Sequence, residues 1–206
     1  MKNNSTNRAV FDRYLTETEL NTLFKHVNKF KCLLAQRDLH WMRLLNHTGM
    51  RVQTLSQLTV GDAHIALSTN YIELRDEICK GGRGYRVYIG KRARKAVKGL
   101  LSTLNKQGYT TTNHEAPLMM SRNHKAISVR SLQIRMKKWV LESGINPKAS
   151  PHWFRHSMAK RVLNATTSKH PMQAVQICLG HSDSRSTEIY TLTDKEEIER
   201  VMQEVG

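Results

Sequence analysis

The chain has 206 residues, with 33 Lys or Arg against 17 Asp or Glu and a net charge of +16 at pH 7. That length supports one full core, alone or with a short appendage, and the excess of cations points to a polyanionic partner, nucleic acid before a charged membrane surface. No stretch approaches the ~18 apolar residues of a spanning helix and the opening MKNNSTNRAV lacks the apolar segment of a signal peptide, so the expectation is a cytoplasmic chain with no membrane partner.

The residues up to about Tyr14 are polar and without apolar periodicity, which predicts a mobile arm over 1–14. Thr16 and Glu19 have the spacing of a capping box, and Leu20, Leu23, Phe24 and Val27 then recur on one helical face. A second helix is predicted from near Gln36 to His47, with Trp41, Leu44 and Leu45 inward and a stop at Thr48-Gly49. Arg51 follows that stop, and Val52, Leu55 and Leu58 suggest a further helix. The pattern then changes to short β-type runs, Tyr71–Leu74 and Tyr85–Ile89, around Lys80-Gly81-Gly82-Arg83-Gly84, which predicts a hairpin with Lys80 near its tip. Helical patterns resume from Lys91 to about Asn105 and from Ser128 to about Ser143. The fold class expected is α+β, mainly α, with a small antiparallel sheet.

Chemistry concentrates in the last third. Ser150-Pro151 reads as an N-cap followed by proline at the first helical position, where its missing N–H costs nothing. His152 and Arg155 then stand three apart on one face, and the free amides of a helix start favour an anion beside them. Leu179-Gly180-His181 follows, and nine residues after His181 comes Tyr190. Two imidazoles and a guanidinium supply donors to an anionic oxygen, and a phenol is a side chain that can attack phosphorus and hold it covalently. Taken singly, each has a plainer reading: Arg51 a surface cation, Lys80 a hairpin lysine, Tyr190 a core tyrosine, Arg155 and His156 a solvated basic face. Trp153 and Phe154 read as core. The three cysteines, Cys32, Cys79 and Cys178, are odd in number and widely spaced, which suits reduced thiols. Neither Cys178 with His181 nor His152 with His156 completes a zinc motif, and the glycines after Lys80 do not form a phosphate-binding GxxxxGK[ST] loop.

The ordered set Thr48-Gly49-Met50-Arg51, Lys80, His152-x-x-Arg155-His156, Leu179-Gly180-His181 and Tyr190 resembles the tyrosine recombinases, the phage-integrase family, over nearly all residues after about Tyr14. The resemblance implies a catalytic domain over 15–206, ending in an amphipathic helix about 194–205 that docks on a neighbouring protomer or on its own domain. It implies that Arg51 and Arg155 clamp the non-bridging oxygens of a scissile phosphate while His181 donates to the same group. His152 would assist proton transfer, Lys80 would protonate the departing 5′ oxygen, and Tyr190 would attack to give a 3′-phosphotyrosyl link. The implied partners are double-stranded DNA, further copies of the chain in a tetrameric synapse, and accessory DNA-bending proteins; no cofactor or metal is called for. Fixed cations of this kind suit a phosphoryl transition state, whose charge spreads over its equatorial oxygens.

Two departures stand out. Thr54 occupies the position, three after Arg51, where many members carry a glutamate, and no separate N-terminal core-binding domain is expected, as in short members such as the fimbrial invertases. The sequence leaves two other readings open: a nicking-closing enzyme resembling type IB topoisomerases, and a DNA-binding regulator that keeps the site without turnover.

Overall fold

The computed structural model describes residues 13–79 and 81–180. The first helix, α1 (Glu17–Asn28), starts on the expected capping box: the Thr16 hydroxyl accepts from the Glu19 amide at 3.2 Å and the Glu19 carboxylate accepts from the Thr16 amide at 2.9 Å. Its apolar face buries Leu20, Leu23 and Val27, and the Phe24 ring stacks on Phe154. Helix α2 (Leu33–Thr48) starts three residues before the expected Gln36 and ends at Gly49, whose φ of 64° turns the chain out in the left-handed region.

The next segment departs from the sequence reading. In place of one helix through Leu58 there are two, α3 (Val52–Ser56) and α4 (Val60–Thr69). Thr59 and Asp62 form a second capping box that restarts the helix. The break is also used from outside: the Leu58 carbonyl accepts from the Leu118 amide at 2.8 Å, and the Val60 amide donates to the Ala116 carbonyl at 2.9 Å. A remote loop supplies the bonds that a continuous helix would have made for itself.

Strands β1 (Tyr71–Leu74) and β2 (Tyr85–Tyr88) pair antiparallel with Ile72 opposite Val87. Ile72, Leu74 and Val87 face the core. The connection between them is longer than a tight turn and contains a 3-10 turn at Asp76–Ile78, closed where the Gly84 amide donates to the Asp76 carboxylate at 2.6 Å. Among the described residues four helices follow: α5 (Lys91–Lys106), α6 (Val129–Ser143), α7 (Pro151–Ala165) and α8 (Pro171–Leu179).

Helix α2 is the centre of the core, with Trp41, Met42, Leu44 and Leu45 buried between α5 on one side and α7 on the other. Arg37, Asp38, Asn46 and Thr48 are the polar residues of α2 buried with them. Asp38 is fully enclosed, and its carboxylate accepts from the indole N–H of Trp41 at 3.1 Å, from that of Trp139 at 2.7 Å, and from Arg135 Nε at 2.6 Å. Three donors satisfy a charge that burial would otherwise penalise, and they fix α6 against α2. A second, smaller apolar cluster of Ala159, Val175 and Leu179 joins α7 to α8.

Candidate active site

Arg155 is the structural centre of the site. It lies on α7 with only 5 % of its surface exposed, and its guanidinium donates from Nη1 to the Gly49 carbonyl at 2.7 Å and from Nη2 to the Leu179 carbonyl at 2.9 Å. The planar fork thereby binds the C-terminal ends of α2 and α8 together. Gly49 allows this approach: a Cβ there would stand 2.6 Å from Leu179 Cδ2 and 3.1 Å from Met158 Cγ, and its positive φ excludes most side chains in any case.

Arg51 is two residues further on, half-buried at the N-cap of α3. Its charge acts on Cys79 at the end of the 3-10 turn. Burial raises the Cys79 thiol pKa, and the Arg51 cation opposes that rise while Asp76 and Glu77 add to it. The same two segments are tied by Thr54, whose buried hydroxyl donates to the Ile78 carbonyl at 3.1 Å. Lys80, two residues beyond Ile78, lies outside the described residues. On the other side of the sheet connection, the Tyr85 ring packs over Gly180, where a Cβ would come within 2.5 Å of the ring. His181 and Tyr190, like the segment 194–205, lie outside the described residues.

Of the expected site residues, then, the structure brings together Arg51, Arg155 and the segments immediately before Lys80 and His181. His152 is placed differently from Arg155, although both belong to α7: it is exposed and lines a groove with Arg13, Lys148, Ser150 and His156. Ser150 occupies the N-cap position as expected, with Pro151 following, but its hydroxyl makes no capping bond. His156 is held neutral. Burial, then the neighbouring His152, Arg155 and Arg13, lower its pKa from 6.5 to about 4. Trp153 and Phe154 are core residues as expected. Cys32 and Cys178 are exposed and Cys79 is buried, all as free thiols. Among the described residues, no group of three or more His, Cys, Asp or Glu is disposed to hold a metal ion, and no helix is long and apolar enough to cross a membrane.

The sequence reading missed three contributors. Tyr85 was detectable, since the period of two in a strand puts it on the buried side with Val87. Thr54 drew notice only as a departure, because its carbonyl partner is 24 residues away. Arg13 was assigned to the arm, yet it lines the groove beside His152.

The sequence model of the phage integrase family matches residues 13–197. The chain belongs to this family. Among curated members it is 32 % identical over 168 residues to the tyrosine recombinase XerC of Haemophilus ducreyi, a match covering 80 % of this chain and 50 % of that protein. It is 30 % identical over 168 residues to XerC of Psychromonas ingrahamii, covering 82 % and 52 %. This phage integrase family chain therefore spans about half the length of the curated relatives it matches. Its fold is that of solved tyrosine recombinases: the XerH recombinase bound to a palindromic difH substrate in a post-cleavage complex superposes with a TM-score of 0.74 at 22 % identity, covering 97 % of this chain and 55 % of that one. The XerA recombinase gives 0.70 at 23 % identity, covering 93 % and 62 %.

Proposed function

We propose that this chain carries out site-specific DNA strand exchange, with Tyr190 attacking the scissile phosphate to form a 3′-phosphotyrosyl intermediate. Arg51 and Arg155 hold the non-bridging oxygens, His181 donates to them, Lys80 protonates the departing 5′ oxygen, and His152 assists proton transfer at the phenol. The observation that carries this reading is the double grip of Arg155 on the Gly49 and Leu179 carbonyls. It draws the segment leading to Arg51 and the segment leading to His181 onto one guanidinium. Preorganised cations lower a phosphoryl transition state because they need not reorient as its charge develops. A phosphotyrosyl ester also conserves the energy of the broken bond, so rejoining requires no nucleotide.

The partner is double-stranded DNA. Besides the net charge of +16, two grooves that share Lys148 and Ser150 run past the start of α7, one with Arg13 and His152 and the other with Arg130 and Lys137. Cations in file along a groove suit a phosphate backbone. Two relatives were solved on DNA, XerH with its difH substrate and a lambda integrase dimer on a core site. By that likeness the chain works as a homo-oligomer on DNA; the family resemblance of the sequence motifs further implies a tetrameric synapse, accessory DNA-bending proteins and docking of a helix about 194–205. The catalytic domain is 15–206, preceded by the 1–14 arm, and the protein acts in the cytoplasm at the nucleoid.

The test uses nicked duplexes drawn from DNA flanking its own gene, so that cleavage releases a short strand and traps any covalent product. The wild-type chain is expected to give a slow-migrating protein–DNA species on a denaturing gel, and Tyr190→Phe none. An adduct that persists in Tyr190→Phe would exclude Tyr190 as nucleophile. No adduct with any duplex would favour a DNA-binding regulator, and adducts on every duplex alike would favour a nicking-closing enzyme.

A further inference from the structure

A further cationic groove, of about 350 Å³, lies between α1, α2, α5 and α7, away from the two at the start of α7. Arg43 and His40 come to it from α2, Arg92 and Lys95 from α5, Arg161 from α7, and His47 from the last turn of α2. Glu17 is the one carboxylate in the lining among the described residues, and Arg161 stands 3.5 Å from it. Arg161 is further committed to the Asn46 side-chain oxygen at 3.0 Å and to the Asn46 carbonyl. Arg92 and Lys95 have no hydrogen-bond or carboxylate partner among the described residues, and both are exposed. They sit in the first turns of α5, a helix with no acidic residue at its start and no side-chain cap on Gly90. The start of a helix is its positive end, so cations there oppose the helix dipole instead of complementing it.

The floor of the groove is built for a polar guest. His40 lies directly over Gly99, where a Cβ would come within 2.4 Å of the ring, so the glycine makes room for the imidazole. The ring's Nδ1 is buried and has no hydrogen-bond partner among the described residues. Burial discourages its protonation first and the cations Arg43 and Lys95 next, together lowering the His40 pKa to about 4. Burial, then Arg161, Arg92 and Arg43, do the same to His47, against a small opposing effect of Glu17. Several cations, an unsatisfied imidazole and one carboxylate already engaged describe a site whose counter-ion comes from outside.

We propose that this groove is a second anion site, separate from the Arg155 site, which takes one phosphate group between Arg92 and Lys95 of α5 and Arg43 and His40 of α2. The phosphate belongs either to the DNA backbone or to a free phosphate-bearing solute, and both offer the same tetrahedral oxygens. The site is linked to the Arg155 site through α2, since Arg161 holds Asn46 and Arg155 holds Gly49 three residues later.

Sulfate is the first probe, because its charge is constant over the pH range in which histidines titrate. The full chain, labelled in its histidines, is titrated with sulfate against chloride at fixed ionic strength. The His40 and His47 signals, assigned with His40→Gln and His47→Gln, are expected to move saturably, and their titration midpoints to rise by about one pH unit as the anion offsets Arg43, Lys95, Arg92 and Arg161. Arg92→Gln/Lys95→Gln should weaken sulfate binding by about tenfold or more without lowering the thermal midpoint, since both residues are exposed and oppose the α5 dipole. The second arm measures duplex binding against salt. A slope reduced by about 1 in the double variant assigns the phosphate to DNA, and an unchanged slope assigns it to a free solute. His40 and His47 signals indifferent to sulfate would overturn the proposal whatever the DNA arm gives. Neither readout depends on strand cleavage, so failure here is distinguishable from failure of the recombinase reading.

Discussion

At the level of the single residue, Arg155 has a structural role in the observed bonds to Gly49 and Leu179 and a chemical one only as proposed, and the structural role is tested by substitution. Arg155→Lys keeps the charge but replaces a planar fork with a point charge that cannot reproduce both carbonyl bonds. Unfolding in urea should show a loss of about 1–3 kcal/mol, because at least one buried carbonyl loses a charged donor. An unchanged midpoint would mean that the grip on Gly49 and Leu179 contributes nothing to stability. Thr54 is a positioning residue, since it reaches the site only through the Ile78 carbonyl. Thr54→Val preserves shape and removes that bond, so the segment before Lys80 loosens. Adduct formation should slow by about tenfold to a hundredfold through misplacement alone, while Thr54→Ser, which keeps the hydroxyl, should restore most of the rate. Equal rates in Thr54→Val and wild type would remove Thr54 from the site.

Among the elements, those governed by local chemistry were legible in the sequence. The Thr16 box, the Gly49 stop, the two strands and the start of α7 at Pro151 all follow from residues that act on their immediate neighbours. The division between α3 and α4 was not read, although Thr59 and Asp62 announce it, because Leu58 continued the apolar spacing of Val52 and Leu55. What favours the break is a loop more than fifty residues later, bonded to Leu58 and Val60. Periodicity cannot report such a contact. The same limit applies to the candidate site: Arg51 and Arg155 stand out in the sequence as candidates, whereas the Thr54–Ile78 bond and the closure of Tyr85 on Gly180 depend on tertiary approach. Thr59→Ala removes the side-chain half of the second box and should cost about 1 kcal/mol in urea unfolding. A loss within error would show that the Ala116 and Leu118 bonds hold the break by themselves.

For the molecule as a whole, charge and acidity are coupled. His40, His47 and His156 all have folded-state pKa values lowered from 6.5 to about 4, burial being the first cause in each. Between those limits the unfolded chain binds protons that the folded chain refuses. Stability is therefore fully present above about 6.5 and declines as pH falls toward 4. Urea midpoints at pH 7, 6 and 5 should fall in that order, and a midpoint that stays level would mean that these imidazoles accept protons in the folded state. Sulfate, if it fills the groove beside His40 and His47, should flatten the decline.

The attachment of the chain ahead of α1 has a mechanical consequence. The Leu15 amide donates to the Ser157 hydroxyl at 2.8 Å, and the Leu15 carbonyl lies 3.0 Å from the same oxygen. Ser157 is on α7, two residues after Arg155. The Tyr14 ring lies beneath the Lys160 ammonium at 3.8 Å, again on α7. Whatever pulls on the chain before residue 13 consequently bears first on the helix that holds Arg155, with α1 only next in line. Tension from DNA or a neighbouring subunit would reach the guanidinium along α7, over five residues from Lys160 and two from Ser157.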